Sequence, residues 1–271
     1  MSVQLNTAQT TPPPMAPAAV PGSLTEDAFL GGRLRILQPE KGYRAGIDAV
    51  FLAASIPCVA GESLFEAGIG TGVAALCTIA RNPTIHVTGI EIASRYTMLC
   101  TENAKRNGFA HSVRVITSDV KEALRKDLSE MPQHGSFNHA FANPPYFDES
   151  KSTPSPHLLK AQAHAFGPHD LEIWIKVMHL MVALRGTVTI VHRADTLGKI
   201  LTAMEDRFGD IRVAPLYARD GTAASRVIVQ GVKGSKAPMQ LLPGLILHGE
   251  NSQFTPDAEA VLRDGSTWRL R

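Results

Sequence analysis

Long apolar runs are missing from this chain. No stretch approaches the ~18 uninterrupted apolar residues of a membrane span, and the N-terminus has no charged segment leading into an apolar one of the secretory kind. These absences predict a protein that stays where it is made, in the cytoplasm. Cysteine is scarce as well. Cys58, Cys77 and Cys100 are odd in number, sit in apolar patterns and lack close paired spacing, which excludes a disulfide framework and a cysteine zinc site. They read as small core residues in a reducing compartment, and no metal is expected. A strong charge of one sign is also absent: 27 Lys and Arg against 25 Asp and Glu leave a net charge of +2, which neither demands nor excludes a polyanionic partner. No internal repeat is present.

What is there suits one large α/β domain: 271 residues with 44% hydrophobic content. Residues 1–24, rich in Pro, Ala, Thr and Ser and including Pro12-Pro13-Pro14, have no periodic apolar face and read as a disordered leader to a domain over 25–271. Gly46 to Ile56 has helical spacing, with Asp48 placed to cap its first turn and Pro57 to stop it. From Ser63 onward short apolar runs alternate with amphipathic segments. Strands are predicted at 63–67, 85–91, 113–117 and 138–142, and helices at 71–80, 93–107 and 120–128. This rhythm predicts a mostly parallel sheet with helices on both faces. A long loop, Pro144 to Pro168, precedes a helix at 170–184 and a strand at 187–192. Two further β-like runs, 211–218 and 225–232, predict antiparallel strands at one sheet edge.

The first strand ends in Glu66-Ala67-Gly68-Ile69-Gly70-Thr71-Gly72 and opens into a helix, so the glycines allow a tight turn whose amides approach a ligand. The next strand ends at Glu91, where a carboxylate can accept both hydroxyls of a ribose, or merely cap the following helix. The third ends at Asp119, which can take an adenine amino group, act as an N-cap, or both. A dinucleotide fingerprint needs glycine where Val73 stands. Glu66 suits a ligand with a cationic amino group better than a pyrophosphate, and a helix N-terminus beside a carboxylate matches the zwitterionic methionine part of S-adenosylmethionine.

The fourth strand ends in Asn143-Pro144-Pro145-Tyr146, the most informative tetrapeptide of the chain. Two prolines fix an extended backbone and remove two N–H donors, leaving the Pro144 carbonyl as an acceptor beside the Asn143 side-chain carbonyl. An exocyclic amine conjugated to a ring is a poor nucleophile, because its lone pair is delocalised. Hydrogen bonds from its two N–H groups to these acceptors favour a pyramidal nitrogen, and Tyr146 can stack on the ring. Catalysis of this kind rests on orientation and placed dipoles.

With these residues the sequence resembles the class I methyltransferases that carry an Asn-Pro-Pro-Tyr signature. Through FLGGRLRILQPEKGYRAGIDAVFLAA, FEAGIGTGVAAL, ANPPYF and RDGTAASRVIVQGVKG it resembles, more narrowly, the bacterial valine-tRNA adenine-N6 methyltransferases, over residues 25 to 265. The resemblance implies a seven-stranded Rossmann-like fold, S-adenosylmethionine as cofactor, and methylation of the adenine 3′ of a tRNA anticodon. It carries cofactor roles to Glu66 (where Asp is commoner), Gly68, Gly70, Gly72, Glu91 and Asp119, and catalytic roles to Asn143, Pro144, Pro145 and Tyr146. It also lays Gln38, Gly42, Tyr43 and Arg44 over the cofactor pocket. Two other readings share the tetrapeptide or the fold. A protein glutamine-N5 methyltransferase acts on a similarly planar amide but carries a helical substrate domain, whereas here only a short lead-in precedes the cofactor fold. A non-catalytic RNA-binding protein retaining the fold is the other. His157, His164 and His169 read as solvated, and Arg193, Arg219, Arg226, Lys233 and Lys236 as a phosphate track or a solvated basic face.

Overall fold

The computed structural model describes residues 23–125, 129–146 and 170–270. Alternating apolar residues build a central sheet from β3 (Ser63–Ala67), β4 (His86–Glu91), β5 (Val113–Thr117), β6 (Phe137–Ala142), β7 (Val182–Arg193), β8 (Phe208–Tyr217) and β9 (Ala224–Lys233). Their order across the sheet is β8-β9-β7-β6-β3-β4-β5. β3 to β7 are mutually parallel, and β9 runs antiparallel to both β7 and β8. The expected Rossmann-like architecture is therefore present, but among the described residues the central sheet has nine strands rather than seven. The C-terminal segment adds β10 (Gln240–Leu241) and β11 (Leu245–Ile246), both parallel to β8, and Leu242 and Leu247 donate 2.8 Å backbone bonds to Val213 and Tyr217. Edge carbonyls of β8 that would otherwise face solvent are thereby covered.

Period-two alternation sends Leu64, Phe141, Val191 and Ile228 to one face of the sheet and Phe65, Ile190, Val227 and Val229 to the other. The first face is covered by α1 (Ile47–Ser55), α2 (Val73–Arg81) and α6 (Pro256–Leu262), and the second by α4 (Asp170–Met181) and α5 (Leu197–Met204). Completely buried side chains such as Phe65 and Phe141 each contribute about 1.5–3 kcal/mol. Between β4 and β5 runs α3 (Ser94–Arg106), which adds Cys100 and Ala104 to the first core.

Two local expectations are corrected, and one element is added. After β5 the described residues form a short 3-10 turn, Val120–Leu124, where the sequence predicts the start of a helix over 120–128. α4 stops at Met181 rather than 184 because Lys233 Nζ donates 2.8 Å bonds to the carbonyls of His179 and Val182, taking up acceptors at the helix end. The lead-in is an ordered hairpin of β1 (Leu24–Phe29) and β2 (Leu34–Pro39). Its open edge is paired by side chains of α3: Asn103 Oδ1 accepts from the Leu37 amide at 2.8 Å and Asn107 Oδ1 from the Arg35 amide at 2.9 Å, while their Nδ2 groups donate to the same residues' carbonyls. Two asparagines one helical turn apart thus replace a neighbouring strand.

Candidate functional site

The carboxyl ends of β3, β4, β5, β6 and β7 reach one edge of the sheet, since Ala67 lies level with Ile90 and Ala142, Glu91 with Thr117, and Ala142 with Ile190. The chain order reverses between β3 and β6, and such switch points open the crevice where α/β sheets bind ligands. The glycine loop lies there. Gly68 has φ +68°, and a Cβ on it would fall 2.4 Å from the indole of Trp174, so this position is closed to side chains from both causes. Gly72 ends the loop at φ 87° as the N-cap of α2, where a Cβ would meet Cys100 Sγ at 2.7 Å.

Two carboxylates face this loop. Glu66 is 2% exposed, and its Oε2 is buried without a hydrogen-bond partner among the described residues. Burial raises its pKa well above the ordinary carboxylate range, against the Ala75 amide in the first turn of α2 and with the charge of Glu91 adding to the rise. An orphaned oxygen of this kind calls for a cationic donor, as an α-ammonium group provides. Glu91 accepts from the Gly70 amide at 3.1 Å and the Ala93 amide at 2.9 Å. Burial raises its pKa, with those amides opposing. A carboxylate offers about four acceptor positions, so room remains for two hydroxyl donors. Asp119 caps the 3-10 turn, its Oδ1 accepting from the Lys121 amide at 2.9 Å.

The hairpin reaches over the loop as the sequence suggests. Gln38 is buried and accepts from the Ala45 amide at 2.8 Å, which fixes the strap from 39 to 45. Tyr43 stands edge-on to Tyr96 with centroids 6.3 Å apart, and its Cε1 lies 3.5 Å from where a Gly70 Cβ would be. Burial and the charges of Glu66, Glu91 and Asp48 all raise its phenol pKa, which places that phenol among the site's carboxylates. Arg44 donates to Pro39 O at 2.9 Å and to Asp27 Oδ2 at 2.6 Å, so its guanidinium fastens the strap to the hairpin.

The tetrapeptide follows β6 beside the loop, with Pro144 buried and Asn143, Pro145 and Tyr146 half-buried. The Tyr146 hydroxyl lies 2.8 Å from Asn143 Oδ1 and 3.0 Å from Asp48 Oδ2. Arg226 Nε donates to the same Asp48 oxygen at 3.0 Å, and its guanidinium carbon stands 4.6 Å from the Tyr146 ring centroid. His192, at the end of β7, meets that ring edge-on at 4.9 Å. It is 8% exposed with its Nδ1 buried and without a hydrogen-bond partner among the described residues, and its pKa is lowered to about 4 by burial, which Asp195 opposes and Arg226 and Arg193 reinforce.

Asp48, Arg226 and His192 are the residues that sequence reasoning misplaced or missed. Asp48 does not cap α1: the N-cap is Gly46, without a side-chain bond. Arg226 lies in this cluster, and Lys233 is engaged at the end of α4. Of the other late basic residues, Arg193 pairs with Asp195, and Arg219 donates to Ser252 Oγ at 2.6 Å. His192 carried a usable signal, since it ends the fifth parallel strand, on the edge where the other candidates lie. His157, His164, His169 and most of the loop from 144 to 168 fall outside the described residues. Among the described residues, no group of three or more His, Cys, Asp or Glu is arranged to hold a metal, and no helix is long and apolar enough to cross a membrane.

Comparison with known proteins agrees with this geometry. Residues 47–166 match the family model of the methyltransferase small domain. A tRNA1(Val) (adenine(37)-N6)-methyltransferase of a Flavobacteriaceae bacterium is 29% identical over 120 residues, spanning 44% of this chain and 48% of the relative. In that alignment the chain spans about half the relative's length. A protein of the same name from Shewanella baltica is 20% identical over 241 residues, spanning 88% of this chain and 98% of the relative. The crystal structure of a predicted O-methyltransferase from Agrobacterium tumefaciens superposes with a TM-score of 0.68 at 23% identity, covering 82% of this chain and 98% of the other. A S-adenosylmethionine-dependent O-methyltransferase from Thermotoga maritima superposes at 0.51 with 14% identity, covering 73% and 68%. At such identities the two structures speak to the fold alone. Over residues 47–166 the chain is thus similar to the methyltransferase small domain, and its fold is that of S-adenosylmethionine-dependent methyltransferases.

Proposed function

We propose that this protein methylates the exocyclic N6 amine of an adenine in tRNA, next to the anticodon. The observation that carries the reading is the placement of Asn143 Oδ1 at the end of β6, beside the glycine loop and within 2.8 Å of the Tyr146 hydroxyl. An acceptor oxygen there can hold an N–H of a planar amine in front of the cofactor. The names of the relatives from the Flavobacteriaceae bacterium and Shewanella baltica support tRNA as the acceptor.

The position of these residues at one sheet edge supports the following assignments. Glu66 would hold the α-ammonium group of S-adenosylmethionine, and the loop of Gly68, Gly70 and Gly72 its carboxylate side. Glu91 would hold the ribose hydroxyls and Asp119 the adenine amino group, with Tyr43 covering them and Arg44 in support. The bound cofactor supplies an electrophilic sulfonium methyl. Asn143 Oδ1 and the Pro144 carbonyl accept the two amine hydrogens, turning the nitrogen lone pair toward that methyl, while Pro145 keeps the backbone extended and Tyr146 packs on the base. With Arg226 over the Tyr146 ring, stacking on that face requires the guanidinium to move aside.

The test is transfer of labelled methyl from S-adenosylmethionine to tRNA transcripts and, separately, to glutamine-bearing peptides, followed by nucleoside analysis. N6-methyladenosine next to the anticodon is expected. Methylation of a peptide glutamine alone would replace this reading, and no transfer to either acceptor by protein that binds the cofactor would favour a binding role.

A further inference from the structure

We propose that Asp48 is a positioning residue for methyl transfer, whose carboxylate draws the Tyr146 hydroxyl proton away from Asn143 and so keeps Asn143 Oδ1 open to the acceptor amine. The inference rests on the amine-methylation reading. Its basis is a conflict visible in the site: one hydroxyl, with one proton to donate, stands 3.0 Å from Asp48 Oδ2 and 2.8 Å from Asn143 Oδ1. Burial and the Asp48 charge raise the phenol pKa well above its ordinary value, so the hydroxyl keeps its proton as a donor.

If that proton rests on Asn143, it occupies the oxygen that has to accept from the substrate N–H and weakens it as an acceptor. A carboxylate wins the competition, because a hydrogen bond to an ionised acceptor is about twice as strong as one between neutral groups. Arg226, 178 residues away in sequence, fixes the orientation of that carboxylate through its 3.0 Å bond to the same oxygen. Its guanidinium also lies over the Tyr146 ring, so carboxylate and phenol are held as a pair. Asp48 lies in the first turn of α1 without capping it, since Gly46 is the N-cap and makes no side-chain bond.

The proposal predicts an epistatic pattern that a structural role for Asp48 would not produce. In single-turnover methylation, Asp48→Asn should slow transfer about tenfold, the effect of one misdirected hydrogen bond, with little change in KM for the acceptor. Tyr146→Phe keeps the ring and removes the competing hydroxyl, so the double variant Asp48→Asn/Tyr146→Phe should recover to the rate of Tyr146→Phe alone. Multiplying losses in the double variant would overturn the proposal. A second readout needs no acceptor. With the four tyrosines labelled at 13Cζ, the resonance missing from Tyr146→Phe should move in folded Asp48→Asn, and an unmoved resonance would overturn the proposal as well. A wild type that methylates no RNA sinks the functional reading alone, and the resonance then decides the Asp48 contact.

Discussion

Glu91 reaches back from the end of β4 to accept the Gly70 amide at 3.1 Å, so the second strand holds the loop of the first in shape. Replacing Glu91 with Ala removes this brace together with the proposed ribose contacts. S-adenosylmethionine affinity should fall about ten- to hundredfold, at about 1.5–3 kcal/mol for a charge-assisted bond, in a protein that stays folded. Calorimetry on the folded variant checks this, and unchanged affinity would remove Glu91 from the ribose.

Asn143→Ala should lower single-turnover methyl transfer by about 10²–10³, the usual effect of removing one placed polar group, while cofactor affinity is kept. The argument is differential binding: this acceptor matters most as the nitrogen becomes nucleophilic. Asn143→Asp retains an acceptor oxygen and should fall between wild type and Ala. Near-normal transfer by the Ala variant would place the acceptor elsewhere.

His192 makes stability depend on pH. Its pKa falls from 6.5 to about 4 on folding, so the unfolded chain takes up a proton that the folded one refuses. Its contribution is complete above pH 6.5 and is lost as pH drops toward 4, by at most about 3 kcal/mol at 1.36 kcal/mol per pKa unit. Denaturant unfolding at pH 7 and pH 4.5 should show a smaller difference in His192→Gln than in wild type. Equal differences would mean that another group governs the acid limb.

Lys233 separates a structural from a nucleic-acid role among the late basic residues. Lys233→Met removes donors from the carbonyls of His179 and Val182 and should destabilise the protein by about 1–3 kcal/mol. The salt dependence of tRNA binding should be unaltered, because this ammonium group is held by two backbone carbonyls. A reduced salt slope at unchanged stability would return Lys233 to the RNA surface.

The sheet was legible because burial on both faces imposes short, near-continuous apolar runs, as in β3 and β6, and turn residues mark their ends. The candidate residues Glu66, Glu91, Asp119 and Asn143 could be placed at the sheet edge for a related reason: position at a strand end fixes position at that edge. Asp48 and Arg226 could not. Each lies in a local pattern that already explains it, a helix start and a basic stretch, and only the fold brings them to one oxygen. The β1–β2 hairpin went unread although β2 carries alternation, with Leu34 and Ile36 buried on either side of exposed Arg35. The early end of α4 depends on Lys233, far away in sequence.

Asn103 does more than edge the hairpin. Its Nδ2 donates at 3.0 Å both to Leu37 O on β2 and to Thr71 O inside the glycine loop. One side chain is thus a shared joint, and whatever steadies the loop steadies the hairpin by the same free energy, with the reverse holding equally. The amides of Arg35 and Leu37, remote from the reacting atoms, become reporters of cofactor occupancy, and their hydrogen exchange should slow when the loop is filled.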